Sequence, residues 1–370
     1  MKNVLTVGAA LMLTTTSAYA LGLDRSGQNI GVLFEDGEYA ELTFGKVTPT
    51  LDGADNIAFG GTDVGNVAND YTQFSLAYKT DINDQLSYAV IFDQPYGADV
   101  EYPSSADGGG LALAGTSASL ESKAVTALLR YKFNENVSVH AGLRAETISA
   151  DITLAGLAYG PLNGYNTSLA QNTAYGYAVG AAYERPDIAL RVALTYHSAI
   201  EHEFDTTENG APSLPTTVET PQAVNLDFQT GIAADTLLFG SIRWAEYSNV
   251  IVSPAGFAAA TGGGSLTDID DGVAYNIGVG RRFTDQLSAS VSVGYEAASD
   301  DDLVSPLAPS NGNYSIALGA EYKVTDNIAV SGGVRYIKVG DAQPATADTA
   351  RAEFTDNDAI GVGIKVGYTF

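Results

Sequence analysis

Three histidines, His140, His197 and His202, are the natural candidates for acid–base chemistry in this chain. In the stretch YHSAIEHEF, His197 stands beside Ser198, the residue types that a nucleophile and its general base require. Successive residues of a strand point to opposite faces, so these two cannot act on one another unaided. His202 between Glu201 and Glu203 offers metal-ligand types, and a solvated acidic loop accounts for the same run. The G-x-S-x-G, H-E-x-x-H and phosphate-loop patterns do not occur in the sequence. The chain is therefore read as no enzyme, with no catalytic residues, no metal site and no cofactor.

The elements that carry these residues declare themselves through a repeated phrase. "YKTDINDQLSYAV", "YKFNENVSVHAGL", "RRFTDQLSASVSV" and "YKVTDNIAVSGGV" each give an aromatic or basic residue, a few turn-formers and then an alternating run. In the final stretch Ile360, Val362, Ile364, Val366, Tyr368 and Phe370 share one parity, while Gly361, Gly363, Lys365, Gly367 and Thr369 share the other. This is the period of a strand, sustained long enough to cross a bilayer at a tilt. A soluble sandwich would set charged and hydroxylated residues on its outer face, whereas here the second parity is rich in Gly, Ala and Ser. The pattern predicts apolar side chains outward and small or ionised ones inward.

Fourteen such segments start near Tyr39, Tyr71, Leu86, Lys123, Val137, Thr173, Ile188, Gln222, Thr236, Ala274, Leu287, Asn313, Ile328 and Asp358. Long connections alternate with short polar reversals such as "NEN", "TDQ" and "VTDN", whose Asp and Asn tolerate turn conformations. The aromatics that precede many of the reversals suit the headgroup level of a membrane. The expected fold is all-β, a transmembrane antiparallel barrel of fourteen strands in the outer membrane of a Gram-negative cell. Its residues divide into a secretory signal over 1–20, a short N-terminal plug over 21–38 and a barrel with long outer loops over 39–370. The signal rests on Lys2, the apolar stretch that follows it, and Ala18 and Ala20 around Tyr19. The terminal Phe370 on an amphipathic strand resembles the ending of bacterial outer-membrane barrels in general.

The chain contains no cysteine, so an exported fold here cannot depend on disulfides. Its formal charge is −26, and the long connections hold acidic clusters: Asp300 to Asp302; Asp268, Asp270 and Asp271; and Glu201, Glu203, Asp205 and Glu208. Such a face repels polyanions, which excludes nucleic acid as a partner. Solvation explains the clusters, and divalent cations bridging to anionic lipid headgroups would also use them.

The basic residues sit elsewhere. Arg130, Arg144, Arg191, Arg243, Arg335 and Lys365 fall on the inward parity, as do Lys79 and Arg282, with Glu41, Glu146, Asp227, Glu296 and Glu321 among them. On the lipid side each Arg or Lys would cost about 2 to 4 kcal/mol at mid-membrane, which fixes this parity as the lumen. A stiffening ion-pair lattice explains most of these residues, and attraction of an anionic headgroup is the functional alternative. Two connections are too apolar for ordinary solvated loops. "ITLAGLAYGPL" supplies Ile152, Leu154, Leu157, Tyr159 and Leu162, and "VIVSPAGFAAA" supplies Val250, Val252 and Phe257, as candidate ligand-binding residues. The alternative is that the two pack on one another and cap the barrel.

Several blocks resemble the FadL-like family of outer-membrane transporters for long-chain fatty acids and other hydrophobic compounds. They are "TPQAVNLDFQTGIAADTLLFGSIRWAEYSNV", with Trp244 ahead of Tyr247 and Ser248; "LTYHSAIEHEFD"; "FDQPYGADVEY"; and "NYSIALGAEYKVTDNIAVSGGVRY". Their order along residues 22 to 370 carries the likeness more than any one block does. The resemblance implies a lumen plugged by an N-terminal hatch and outer loops that capture an apolar ligand. It further implies sideways exit into the membrane through a gap at a kinked third strand. Here that strand is Leu86 to Asp93, and the lateral-gate candidates are Phe92, Pro95 and Gly97. The departure is a short hatch without the family's Asn-Pro-Ala motif. The implied function is passive uptake of a hydrophobic small molecule by a monomer surrounded by outer-membrane lipid and lipopolysaccharide. Acidic loops oppose an arriving fatty-acid anion, so an uncharged compound fits the electrostatics better. A non-transporting barrel, serving as adhesin or structural anchor, is the alternative.

Overall fold

The computed structural model describes residues 23–299 and 302–370, so the expected signal peptide, the first residues of the plug, and Asp300 and Asp301 lie outside the described residues. Fourteen antiparallel strands form a closed meander. They are β1 Tyr39–Thr50, β2 Tyr71–Asp81, β3 in two parts, Leu86–Asp93 and Gly97–Glu101, and β4 Ser117–Lys132. Next come β5 Val137–Leu154, β6 Tyr165–Arg185, β7 Leu190–His197, β8 Ala223–Ala233 and β9 Thr236–Ala245. The series ends with β10 Gly272–Arg282, β11 Leu287–Glu296, β12 Asn313–Lys323, β13 Ile328–Val339 and β14 Asp358–Thr369. Closure is direct: β1 pairs with β2 on one edge and with β14 on the other, from Tyr39 opposite Thr369 to Thr50 opposite Asp358. A closed ladder leaves no free edge, as a lipid-embedded sheet requires.

The two parities of β14 part as expected. Ile360, Val362, Ile364 and Val366 are exposed on the outer surface, and Lys365 is buried within. On β5, Val137, Val139 and Leu143 face outward while His140, Arg144 and Glu146 are buried.

Higher on β5 the chemistry of the faces inverts without a change of direction. Ile148, Ala150, Ile152 and Leu154 are buried inward, and Thr147, Ser149, Asp151 and Thr153 face out. Here the barrel has left the bilayer, so water rather than lipid bathes its outside and the interior becomes the apolar refuge. This explains why β4 and β6 begin at Ser117 and Tyr165, well before the Lys123 and Thr173 expected from an apolar-out pattern. On β6 a bulge between the partners of Ile148 and Ala150 resets the parity, keeping Tyr165, Thr167 and Leu169 inward.

Beyond β7 the chain forms a hairpin, Ile200–Phe204 with Thr216–Thr220, and lays Thr206–Glu208 against the upper part of β6. A short helix, α1, spans Ala255–Thr261 in the connection between β9 and β10. Inside the barrel, the segment before β1 makes a 3-10 turn over Gly31–Phe34. Ile30, Val32, Leu33 and Phe34 pack there against Ala77, Ala89, Ala178, Ala182 and Ala193. The small inward residues of the wall make the room that these side chains occupy.

Candidate functional site: an apolar cavity beside a break in the barrel wall

The third strand is interrupted at Gln94, Pro95 and Tyr96. On its β4 side the ladder resumes with one residue more on β3, since Asp93 faces Ala124 and Gly97 faces Glu121. On its β2 side pairing ends at Leu76 opposite Phe92, leaving Tyr71–Ser75 bonded along β1. Proline has no N–H to give a ladder, and an extra residue bends the strand that carries it. The sequence therefore places Phe92, Pro95 and Gly97 at the break, and the structure adds Gln94. Its side-chain carbonyl accepts the Phe74 amide at 2.8 Å, standing in for the absent main-chain partner. A cavity of about 650 Å³ opens at this point, with Arg25, Gln73, Ser75, Asp93 and Gln94 in its walls.

The N-terminal segment is knitted onto the same break. The Arg25 amide donates to the Pro95 carbonyl at 2.8 Å, and the Gly97 amide donates to the Leu23 carbonyl at 2.9 Å. Arg25 Nε donates to the Gly97 carbonyl at 3.0 Å, and its guanidinium lies 3.3 Å from the centre of the Tyr71 ring. Ser26 Oγ donates to Asp93 at 2.5 Å, and Gln28 Nε2 to the Tyr96 hydroxyl at 3.1 Å.

Lumenal arginines complete the anchorage. Arg243 grips Asp24 through Nε at 2.5 Å and Nη2 at 3.2 Å, and donates to Asn225 Oδ1 at 2.8 Å. Asn225 in turn donates to the Gly27 carbonyl at 2.9 Å. Arg144 bonds Glu146 at 3.1 Å and lies 3.6 Å from Asp93. Arg130 and Arg191 hold Phe34 between them, their guanidiniums 4.6 and 4.8 Å from its ring centre. Lys365 pairs with Glu41 at 3.3 Å, and Arg335 is buried on the same lumenal face. Lys79 is buried and pairs with Asp81, whereas Arg282 is half-buried beside Asp235 at a turn.

Above the anchored segment lies a cavity with about 820 Å³ of space between its walls. Leu23 and Tyr96 belong to it, and the inverted upper strands supply Ala118, Leu120, Ile148, Ala150, Ile152 and Leu169. Phe204 and Val218 come from the hairpin, and Tyr247, Val250 and Val252 from the connection after β9. Leu307, from the connection between β11 and β12, folds into the lumen and joins them. Ser305 and Leu307 also line a wider outer chamber of about 1220 Å³ that contains Leu154, Tyr159, Leu162 and Phe257. The two apolar stretches of the sequence thus meet, with Ile152, Val250 and Val252 in the inner cavity and Leu154, Tyr159, Leu162 and Phe257 in the outer. Leu157 stands apart, 62% exposed and in neither wall.

Phe257 is positioned by Glu208, whose carboxylate accepts the amides of Gly256 and Phe257, both at 2.8 Å, at the start of α1. It also accepts Tyr165 Oη at 2.6 Å and Ser213 Oγ at 2.5 Å. Burial alone would raise this carboxyl's pKa, but these hydrogen bonds outweigh it and hold the value below the ordinary one.

The histidines fall differently from a reading of YHSAIEHEF as a solvated loop. His202 is fully buried, with Glu201 and Glu203 on the opposite, exposed face of their strand. Its Nδ1 bonds Asn172 at 3.0 Å, and its Nε2 lies 3.5 Å from Glu146. His197 is buried in the lumen, while Ser198 turns away to accept the Tyr177 amide at 3.0 Å. His140 bonds Thr195 at 3.0 Å and meets the edge of Phe34.

The model of the outer membrane protein transport protein family (OMPP1/FadL/TodX) matches residues 34–370. The chain belongs to that family. Among solved structures it is similar to a Pseudomonas aeruginosa FadL homologue, with a TM-score of 0.72 at 15% identity over 91% of each chain. It is also similar to the Pseudomonas putida toluene transporter TodX, with a TM-score of 0.64 at 13% identity over 90% of each chain. The Ralstonia pickettii toluene transporter TbuX gives a TM-score of 0.61 at 14% identity, over 91% of this chain and 90% of that one. At these identities the likeness shows the fold. No curated protein matches the chain in sequence. As a member of this family it is an outer-membrane transport channel for hydrophobic compounds and not an enzyme.

Proposed function

We propose that this barrel passes a neutral hydrophobic molecule from the cell exterior to the outer membrane by passive transfer. The outer chamber captures it, the inner cavity holds it, and the break between β2 and β3 releases it sideways into lipid. Residues 23–38 serve as the plug, a compact one whose role is shared by the infolded Leu307. The observation that carries this reading is the continuity of the parts: Leu23 closes the apolar cavity, and its carbonyl is hydrogen-bonded to Gly97 at the end of the strand break.

Charge argues for a neutral cargo. Asp24, Asp93 and Glu146 are buried beside the cavity against the guanidiniums of Arg144 and Arg243, so both guanidiniums already have carboxylates to bind. A fatty-acid anion would meet an excess of negative charge. The closed ladder needs no second copy, and its apolar belt is suited to outer-membrane lipid and lipopolysaccharide around a monomer.

Filling the inner cavity tests the proposal. Ala150 is 7% exposed and lines it, so Ala150→Trp should abolish whole-cell uptake of radiolabelled toluene while leaving the amount of folded, surface-displayed barrel unchanged. Uptake at the wild-type rate by that variant would rule out passage through this cavity.

A further inference from the structure

The unpaired interval between β2 and β3 is framed at both ends. Toward the turn after Asp81 the ladder holds as far as Leu76 opposite Phe92. At the other end the two segments meet again just before β2 begins. Ala68 forms a bridge with Val100, the Asn69 amide donates to the Asp99 carbonyl at 3.0 Å, and the Glu101 amide donates to the Val67 carbonyl at 2.8 Å. The break is therefore a window in a continuous wall, bounded above and below by backbone pairing.

One side chain from the plug spans this window. The Arg25 guanidinium lies 3.3 Å from the centre of the Tyr71 ring on β2, and its Nε donates to the Gly97 carbonyl on β3 at 3.0 Å. A Cβ built on Gly97 would stand 2.9 Å from Arg25 Nε, 3.3 Å from its Cγ and 3.4 Å from its Cζ. Gly97 does not have a left-handed backbone, so what its missing side chain provides is room, and Arg25 occupies that room.

The two sides of Arg25 differ in chemistry, for it belongs to the walls of two cavities. On one side is the polar opening at Gln94, which also contains Glu41, Gln73 and Asp93. On the other is a second apolar cavity of about 800 Å³, with Val47, Leu51, Val100, Ile337 and Val339 in its walls. It shares Leu23, Ala98 and Leu307 with the inner cavity and reaches the rims of the window at Tyr71 and Gly97. An apolar molecule thus has apolar surroundings from the inner cavity as far as the guanidinium, where a charged, hydrogen-bonded group bars the way. That group is incompletely satisfied where it stands, since Nη1 has no acceptor among the described residues. The carboxylates of Glu41 and Asp93 line the polar cavity beside it.

We infer that Arg25 is the bolt of the lateral window and sets the rate at which cargo leaves. Lying across the window, it stops the cargo in the second apolar cavity. Swung into the polar cavity toward Glu41 and Asp93, it lets the cargo pass between Tyr71 and Gly97 into lipid. This rests on the reading of the break as the exit and goes further by naming the residue that controls it, with Gly97 as its seat.

The test is the initial rate of radiolabelled toluene uptake by whole cells, corrected for cells lacking the barrel and for the amount of barrel displayed. Arg25→Ala removes the bolt, and Gly97→Ala leaves it intact but fills its seat. Both should raise the rate, Arg25→Ala by about tenfold, the rate equivalent of one hydrogen bond from a charged donor. A barrel merely damaged by either change would carry less, not more. The same variants in liposomes should cause no swelling in isotonic arabinose, because the plug still closes the barrel along its axis. An unchanged or reduced rate in Arg25→Ala would overturn the inference, as would a gain accompanied by arabinose swelling. Should Gly97→Ala fail to fold, Arg25→Ala decides the matter alone. Adding Ala150→Trp to Arg25→Ala separates this inference from the reading beneath it. Loss of the gain in that double variant is expected, whereas its survival would show passage outside the inner cavity and remove both.

Discussion

Substituting Arg243 isolates the attachment of the N-terminal segment from the stability of the barrel. The Arg243 side chain is 2% exposed and that of Asp24 is fully buried, and they join residues 219 apart in sequence. Removing one member of such a pair leaves the other charge buried and unmatched, at a cost of about 3 to 5 kcal/mol. In Arg243→Met the carboxylate of Asp24 would be left with Asp93 in its neighbourhood and only Arg144 to offset both. The barrel's own ladders do not run through this pair, so the segment can relieve the cost by leaving. Its opening constant should rise by a factor on the order of 10² to 10⁴ at the tenfold per 1.4 kcal/mol of equilibrium free energy. Hydrogen exchange in nanodiscs reads this at the Arg25 and Gly97 amides, which are bonded to the Pro95 and Leu23 carbonyls. The double substitution Asp24→Leu with Arg243→Met removes both charges and should restore most of the protection. Unchanged exchange in the single variant, or equally fast exchange in the double, would refute the assignment of Arg243 as the anchor.

Gln94→Ala removes the acceptor of the Phe74 amide, a hydrogen bond worth about 0.5 to 1.5 kcal/mol, and should speed exchange at Phe74 by up to about tenfold. No change there would mean that Gln94 does not hold the break closed. Phe257→Asp should cut toluene uptake severely because it buries a charge in the outer chamber, whereas Leu157→Asp, on an exposed side chain, should leave it near the wild-type rate. Equal effects of the two would contradict the placement of the chamber. The Glu208 cap should depend on pH with a definite sign. Its carboxyl is depressed in the folded protein, so its contribution is complete above the ordinary glutamate value of about 4.3 and is lost as pH falls through the depressed value. Exchange at Gly256 and Phe257 should stay slow at pH 6 and quicken only in acid, and Glu208→Gln should quicken it at every pH.

Much of the barrel is legible in the sequence because lipid imposes a strict alternation on it. The starts of β1, β2, β3, β5, β9, β11, β12, β13 and β14 fall where the alternating runs begin, most of them beside short Asp- and Asn-rich reversals. The starts of β4 and β6 are hidden because their first residues stand in water, where the same strand reverses which side is apolar. Ile152 and Val250 announce themselves as too apolar for their connections, and they do line a cavity. Leu157 has the same composition signal but faces out, since a 3-10 turn at Leu157–Leu162 replaces the strand's alternation. His202 could have been placed by period two alone, which sets it opposite Glu201 and Glu203; the acidic flanks concealed it. Gln94 and the Asp24–Arg243 pair leave no local trace, because each joins chain segments that only the closed sheet brings together.

Leu23 contributes to the wall of the inner cavity, and two residues later Arg25 contributes to the wall of the opening at the third strand. The stretch between them is short and hydrogen-bonded at both ends, the connection a crank would need and a cork would not. On the proposed route, an occupant that displaces Leu23 would load the bonds from Gly97 and to Pro95 in the same motion. Filling the chamber and unlatching the side door would then be one event on that route, and an empty barrel would have no force with which to leak.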